Sequence, residues 1–164
     1  MMLASGALIA LPAWADEWRL ADLIRHNSSF SPEGQEVLTS VADTIIPPGE
    51  TPGALTVGVD KFLQKLFDDC YEKEIQDNIK KQLDALNAKA QKEKGKPFAS
   101  CDQKQREELL MNFADSSEKE EKDFFDLMKS ETIRGFNTSR EVMTNYLNYK
   151  VAPGHYYGCV DINT

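Results

Sequence analysis

SPEGQEVLTSVADTIIPP, residues 31–48, opens with the start signals of a helix and closes with a stop. Ser31 is an N-cap type, Pro32 suits a first turn that needs no N–H, and Glu33 is an early acid. Val37, Leu38, Val41, Ala42, Ile45 and Ile46 then recur at the spacing that lines one helical face. Pro47-Pro48 ends the run, because proline lacks an N–H and pushes the residue before it out of the helical region. A helix with one apolar face must bury that face, and the flanking sequence offers only more helices for the purpose.

Downstream, Gly49 to Gly58 holds Pro52-Gly53 and reads as an ordered loop. Val59, Phe62, Leu63, Leu66, Phe67 and Cys70 predict an amphipathic helix after it. From Glu72 to Lys94 the chain is strongly charged, with Ile75, Ile79, Leu83 and Leu86 as a narrow stripe, so a solvent-facing helix packed along one edge is expected. Gly95 and Pro97 stop it, and the lysine-rich stretch Lys89 to Lys96 reads as a wet face without function. Asp102 can cap a helix bearing Leu109, Leu110 and Phe113. After an acidic turn, Phe124, Phe125, Leu127, Met128, Thr132, Ile133 and Phe136 form a broad apolar face interrupted by Gly135. Thr138-Ser139 re-caps a short helix with Val142, Met143, Tyr146 and Leu147, and Val151 to Thr164 is an irregular tail. Strand patterns are nearly absent. The expected fold is all-α, a single-domain irregular helical bundle with a long ordered loop and an irregular C-terminal tail.

The chain has 164 residues, enough for one domain and too few for two. Its 19 Lys and Arg stand against 27 Asp and Glu, a net charge of -8 that repels phosphate backbones and argues against a nucleic-acid partner. The apolar run from Leu3 to Leu11 is too short to span a membrane, which takes about 20 residues. Ala13-Trp14-Ala15 has the A-x-A form of a signal-peptidase site, so residues 1–15 read as a truncated signal-peptide-like segment before a domain at 16–164. Arg19 is the first positive charge, and a buried N-terminal helix is the other reading of that segment.

Cys70, Cys101 and Cys159 show no metal or haem spacing. In an oxidising compartment one bridge leaves one thiol over. Cys70 to Cys101 would enclose the polar helix between them; alternatively all three are small buried hydrophobes. Catalytic signatures are missing: there is no GxGxxG, P-loop, HExxH or GxSxG. His26 and His155 sit at a loop and a turn, where surface or hydrogen-bonding roles are commonest. Asp68-Asp69 and the acids Glu118, Glu120 and Glu121 lack a calcium-loop pattern and read as a solvated face. Tyr156 and Tyr157, between Gly154 and Cys159, place aromatic area and a thiol in a short irregular segment. That tail either lies on a partner or straps the base of the bundle.

Three stretches together resemble the small, or gamma, subunit of gluconate 2-dehydrogenase and FAD-dependent glucose dehydrogenase (gluconate 2-dehydrogenase subunit 3). They are Val41-Ala42-Asp43-Thr44-Ile45-Ile46-Pro47 with Pro52-Gly53-Ala54; Phe124-Phe125 through Glu131-Thr132-Ile133-Arg134-Gly135-Phe136-Asn137-Thr138-Ser139; and Tyr149 with Pro153-Gly154-His155-Tyr156-Tyr157-Gly158-Cys159. The resemblance implies a non-catalytic subunit that stabilises a flavoprotein of the glucose-methanol-choline type and aids its export to the periplasm. FAD would sit on that partner, with no cofactor on this chain, and a cytochrome c subunit or another acceptor would take the electrons. Family members typically bear a twin-arginine signal, whereas here no Arg-Arg pair precedes the apolar run. The residues expected to meet the partner are Phe136, Thr138, Ser139, Pro153, His155, Tyr156, Tyr157 and Cys159, with Cys159 available for a cross-chain disulfide. The rival readings are a free-standing periplasmic helical module that binds a ligand or assists folding and, behind it, a helical hydrolase built on carboxylates.

Overall fold

Ser31 accepts a hydrogen bond from the Gly34 N–H at 3.1 Å, and the first helix, α1 (Pro32–Ile45), starts there. The computed structural model describes residues 28–150 together with 152 and 154. Among the described residues are five further α-helices and no strand: α2 (Val59–Asp69), α3 (Lys73–Lys94), α4 (Gln103–Ala114), α5 (Lys119–Asn137) and α6 (Arg140–Asn145). A short 3-10 turn, Phe98–Ser100, joins α3 to α4. The architecture is an all-α bundle.

Two helices organise it. Each of α1 and α5 touches α2, α3 and α4, and the two touch each other, so their apolar faces form the centre. Val37, Leu38, Val41 and Ala42 of α1 meet Leu63 and Phe67 of α2, Leu109 and Phe113 of α4, and Phe124 and Met128 of α5 in one buried cluster. Phe113 and Phe124 pack edge to face with centroids 6.0 Å apart. Buried hydroxyls on α1 are satisfied within the helix: Ser40 donates to the Glu36 carbonyl at 2.8 Å and Thr44 to the Ser40 carbonyl at 2.6 Å. Half-shielded Arg106 of α4 pairs with Asp43 at 2.9 Å, and Gln103 donates to the Thr44 carbonyl, which fastens α4 to the C-terminal half of α1.

The loop after α1 is ordered by its own backbone. Ala54 donates to the Ile46 carbonyl at 2.9 Å and Val59 to the Ala54 carbonyl at 3.0 Å, while the Ala54 side chain is buried. The turn closes so tightly that a Cβ on Gly53 would lie 2.6 Å from the Pro48 nitrogen.

Four details differ from the sequence reading. Cys70 is neither buried nor bridged: α2 ends at Asp69, so Cys70 falls past the packed face and is exposed, while Cys101 is buried, and both thiols are free. Ile75 belongs to the first turn of α3 and stays 38% exposed, whereas Ile79, Leu83 and Leu86 are buried as expected. Ile133, expected on the apolar face of α5, is exposed. Gly135 does not interrupt that face but lets α2 approach it, since a Cβ there would meet the Phe62 ring at 2.5 Å.

Candidate partner-binding face at the α5–α6 junction

The break between α5 and α6 is built by two hydroxyls. Thr138 ends α5 and donates from Oγ1 to the Arg134 carbonyl at 2.8 Å. Ser139 accepts from the Val142 N–H at 3.4 Å as the N-cap of α6 and donates to the Phe136 carbonyl at 2.8 Å. Phe136 is half-buried against the core. Of the residues expected at the interface, the structure therefore brings Phe136, Thr138 and Ser139 together, with the two hydroxyls spent on shaping the corner. Pro153, His155, Tyr156, Tyr157 and Cys159 lie outside the described residues, as do His26 and residues 1–15.

What the corner presents follows from the length of α6. With six residues it has fewer than two turns, and only Val142 of it is buried. Tyr146, Leu147 and Tyr149 follow with 50%, 58% and 51% of their surfaces exposed. These side chains project from a fixed backbone. Leu147 donates to the Val142 carbonyl at 3.1 Å and Tyr149 to the Met143 carbonyl at 2.8 Å, with Asn148 between them in the left-handed region at φ 51°. Three large apolar groups on one hydrogen-bonded turn are the composition of a protein-binding patch, where Tyr in particular is enriched. A shallow hollow of about 430 Å³ adjoins it, bounded by Thr56 and Val57 of the first loop and by Arg140, Glu141 and Thr144 of α6.

Tyr146 and Leu147 were readable in the sequence as part of a helical stripe, but not as exposed. Periodicity places both on a helix and carries no sign of which side of that helix meets the core.

Along α5 from this corner, Arg134 pairs with Glu131 at 2.6 Å and lies 5.8 Å from the Phe62 ring centroid. Glu131 also accepts from the Tyr71 hydroxyl at 3.1 Å. Burial raises the Tyr71 pKa above its ordinary 10.0, and the Glu131 charge beside the hydroxyl adds to the rise. Of the acids suggested by sequence, Asp68 accepts from the backbone N–H of Ser29 at 3.1 Å and from its hydroxyl, and Glu120 pairs with Lys81 at 2.5 Å. Among the described residues no group of three His, Cys, Asp or Glu side chains is placed to hold a metal ion. No described helix is long and apolar enough to cross a membrane.

No curated protein and no solved structure matches the chain. Residues 32–154 match the family described as Gluconate 2-dehydrogenase subunit 3, a span that takes in every described helix and the exposed turn after α6. The chain belongs to the gluconate 2-dehydrogenase subunit 3 family, whose name makes it one subunit of a dehydrogenase complex.

Proposed function

We propose that this chain is the non-catalytic small subunit of an exported sugar or polyol dehydrogenase, and that it binds and stabilises an FAD-dependent catalytic subunit of the glucose-methanol-choline type. The observation that carries the reading is the half-exposed set of Tyr146, Leu147 and Tyr149 on one hydrogen-bonded turn, in a chain whose family is defined as a dehydrogenase subunit. Apolar side chains displayed together on one hydrogen-bonded turn offer a partner that covers them a ready area to bury.

The physical role is linkage. A subunit that binds only the native state of its partner raises the partner's apparent stability by mass action. A flavoprotein that acquires FAD and folds before crossing a membrane has use for such a subunit. In this reading the pair is exported together to the periplasm by the twin-arginine route, FAD stays on the catalytic subunit, and electrons leave to a cytochrome c subunit. After export, Cys159 in the tail forms a disulfide with the catalytic subunit; a non-reducing gel of the native complex showing two separate chains would sink that part alone.

Mild affinity purification from the native host, with mass spectrometry and a flavin absorbance spectrum, tests the whole. The expected result is a stoichiometric flavoprotein carrying FAD. A lone colourless chain would overturn the proposal in favour of a free-standing helical binding module.

A further inference from the structure

A second surface lies between α3 and α5, an open trough of about 590 Å³. Its floor is apolar: Ile75, Tyr71, Phe124 and Leu127. Its margins are acidic, with Glu74 and Asp77 on α3 and Glu120 and Asp123 on α5, against the single cation Lys81. Two of these carboxylates are already neutralised, Asp77 by Lys73 at 2.9 Å and Glu120 by Lys81 at 2.5 Å. Glu74 and Asp123 make no ion pair among the described residues, so the trough keeps one surplus negative charge on each bank.

The trough and the corner described above share α5. Positions 120, 124, 127, 131, 134 and 138 step along α5 by four and three residues, which keeps them on one helical face. At 1.5 Å per residue that face runs for about 27 Å from Glu120 to Thr138. A partner seated at the α5–α6 corner thus finds the trough along the same helix.

We propose that the α3–α5 trough seats a helix-length segment of the catalytic subunit that is apolar on one side and carries Lys or Arg at its margins. This rests on the accessory-subunit reading. Charge selects the occupant: an apolar floor between two negative banks accepts an amphipathic segment with basic flanks. Residues 16–27 and 155–164 bring no net positive charge. Residues 16–27 carry Asp16, Glu17 and Asp22 against Arg19 and Arg25, and residues 155–164 contain no Lys or Arg. A second copy, with a net charge of -8, would bring like charge to like.

The test uses the full chain and the flavoprotein that co-purifies with it, identified by mass and by FAD absorbance. Glu74→Lys with Asp123→Lys reverses both surplus charges without breaking an ion pair. The expected result is about tenfold weaker binding of the flavoprotein at low salt, with the difference closing at high salt as screening takes over. Should that variant fail to fold by circular dichroism, Glu74→Gln with Asp123→Asn is expected to weaken binding about threefold, a neutralisation rather than a reversal. Equal retention by wild-type and folded variant chains overturns the trough and leaves the accessory role standing. Capture of no flavoprotein by the wild-type chain overturns both. Trp14 and Trp18, the two tryptophans of the sequence, precede the described residues. A shift of their emission in the isolated variant overturns the proposal in favour of the chain's own N-terminal segment. A wild-type dimer that the variant dissociates overturns it in favour of a second copy.

Discussion

Phe62 leans into α5 where Gly135 leaves room for it, and the two positions exist for each other. An added Cβ at Gly135 would press on the Phe62 ring at 2.5 Å, and the ring is half-buried with Arg134 close by, so it has little freedom to turn away. Gly135→Ala is expected to cost about 1–3 kcal/mol. Thermal unfolding checks this, with Tm falling roughly 2–4 °C for each kcal/mol; an unchanged Tm would refute the contact. Gly53 is the harder case. There the added carbon meets the Pro48 nitrogen at 2.6 Å, backbone that cannot rotate aside, so Gly53→Ala should destabilise at least as much as Gly135→Ala. Tyr71 offers a test by pH. Its raised pKa means the neutral phenol is favoured in the folded state, so its contribution to stability is complete below pH 10 and is lost as pH rises through the elevated folded value. Spectrophotometric titration is expected to place the phenolate transition above the ordinary 10.0, and Glu131→Gln to bring it down. None of these pairings was legible in the sequence. Gly135 read as an interruption because sequence periodicity records a helix's own face and not which foreign ring will lie on it.

Helices themselves were far easier to read than their contacts. Ser31, Asp102 and Ser139 were legible as caps because an N-cap is a local device, needing only a short polar side chain at the right offset from an apolar run. The partner of Asp102 was not anticipated: Gln105 returns the bond to the Asp102 N–H at 3.3 Å, completing a capping box. Asp102→Ala is expected to cost about 1 kcal/mol of stability in denaturant unfolding, with no effect on partner binding, since Asp102 lines neither the trough nor the hollow at the corner. Ser139→Ala should behave differently. The six residues of α6 cannot hold a helix without tertiary support, and Ser139 supplies both the cap and a bond to the end of α5. The expected outcome is a small change in Tm with a clear loss of affinity for the flavoprotein, because the turn that displays Tyr146 and Leu147 loses its anchor. Equal affinity after this substitution would show that α6 takes no part in docking. The misreading of Cys70 belongs to this scale too, since the apolar period ran on past Asp69 while the helix did not.

For the molecule as a whole, the sequence determined a core and left its outer surface open. Alternation of apolar and polar residues places Leu38, Leu63, Leu83, Leu109 and Met128 at the centre, because burying them is the dominant drive of folding. An apolar residue left at the surface carries the same letter as one destined for the core, so a pattern that sets Tyr146 and Leu147 on a short helix does not tell that they are exposed. Hydrogen exchange can separate the two kinds of surface. In the isolated chain, amides of α1 and the middle of α5, the two helices that each pack on α2, α3 and α4, should exchange most slowly and report global stability. Amides of α6 and the turn to Tyr149 rest on few buried side chains and should exchange fastest among the described residues. Adding the flavoprotein is expected to slow exchange in α6, in the Tyr146–Tyr149 turn and in the first two turns of α3 and α5. The start of α4, around Asp102 and Gln103, lines neither patch and should be unaffected. Slowing at α6 without slowing at α3 would keep the α5–α6 corner as the docking face and remove the trough from it. Uniform slowing throughout the chain would mean that the partner stabilises the bundle as a unit, and the local patches would lose their claim to the interface.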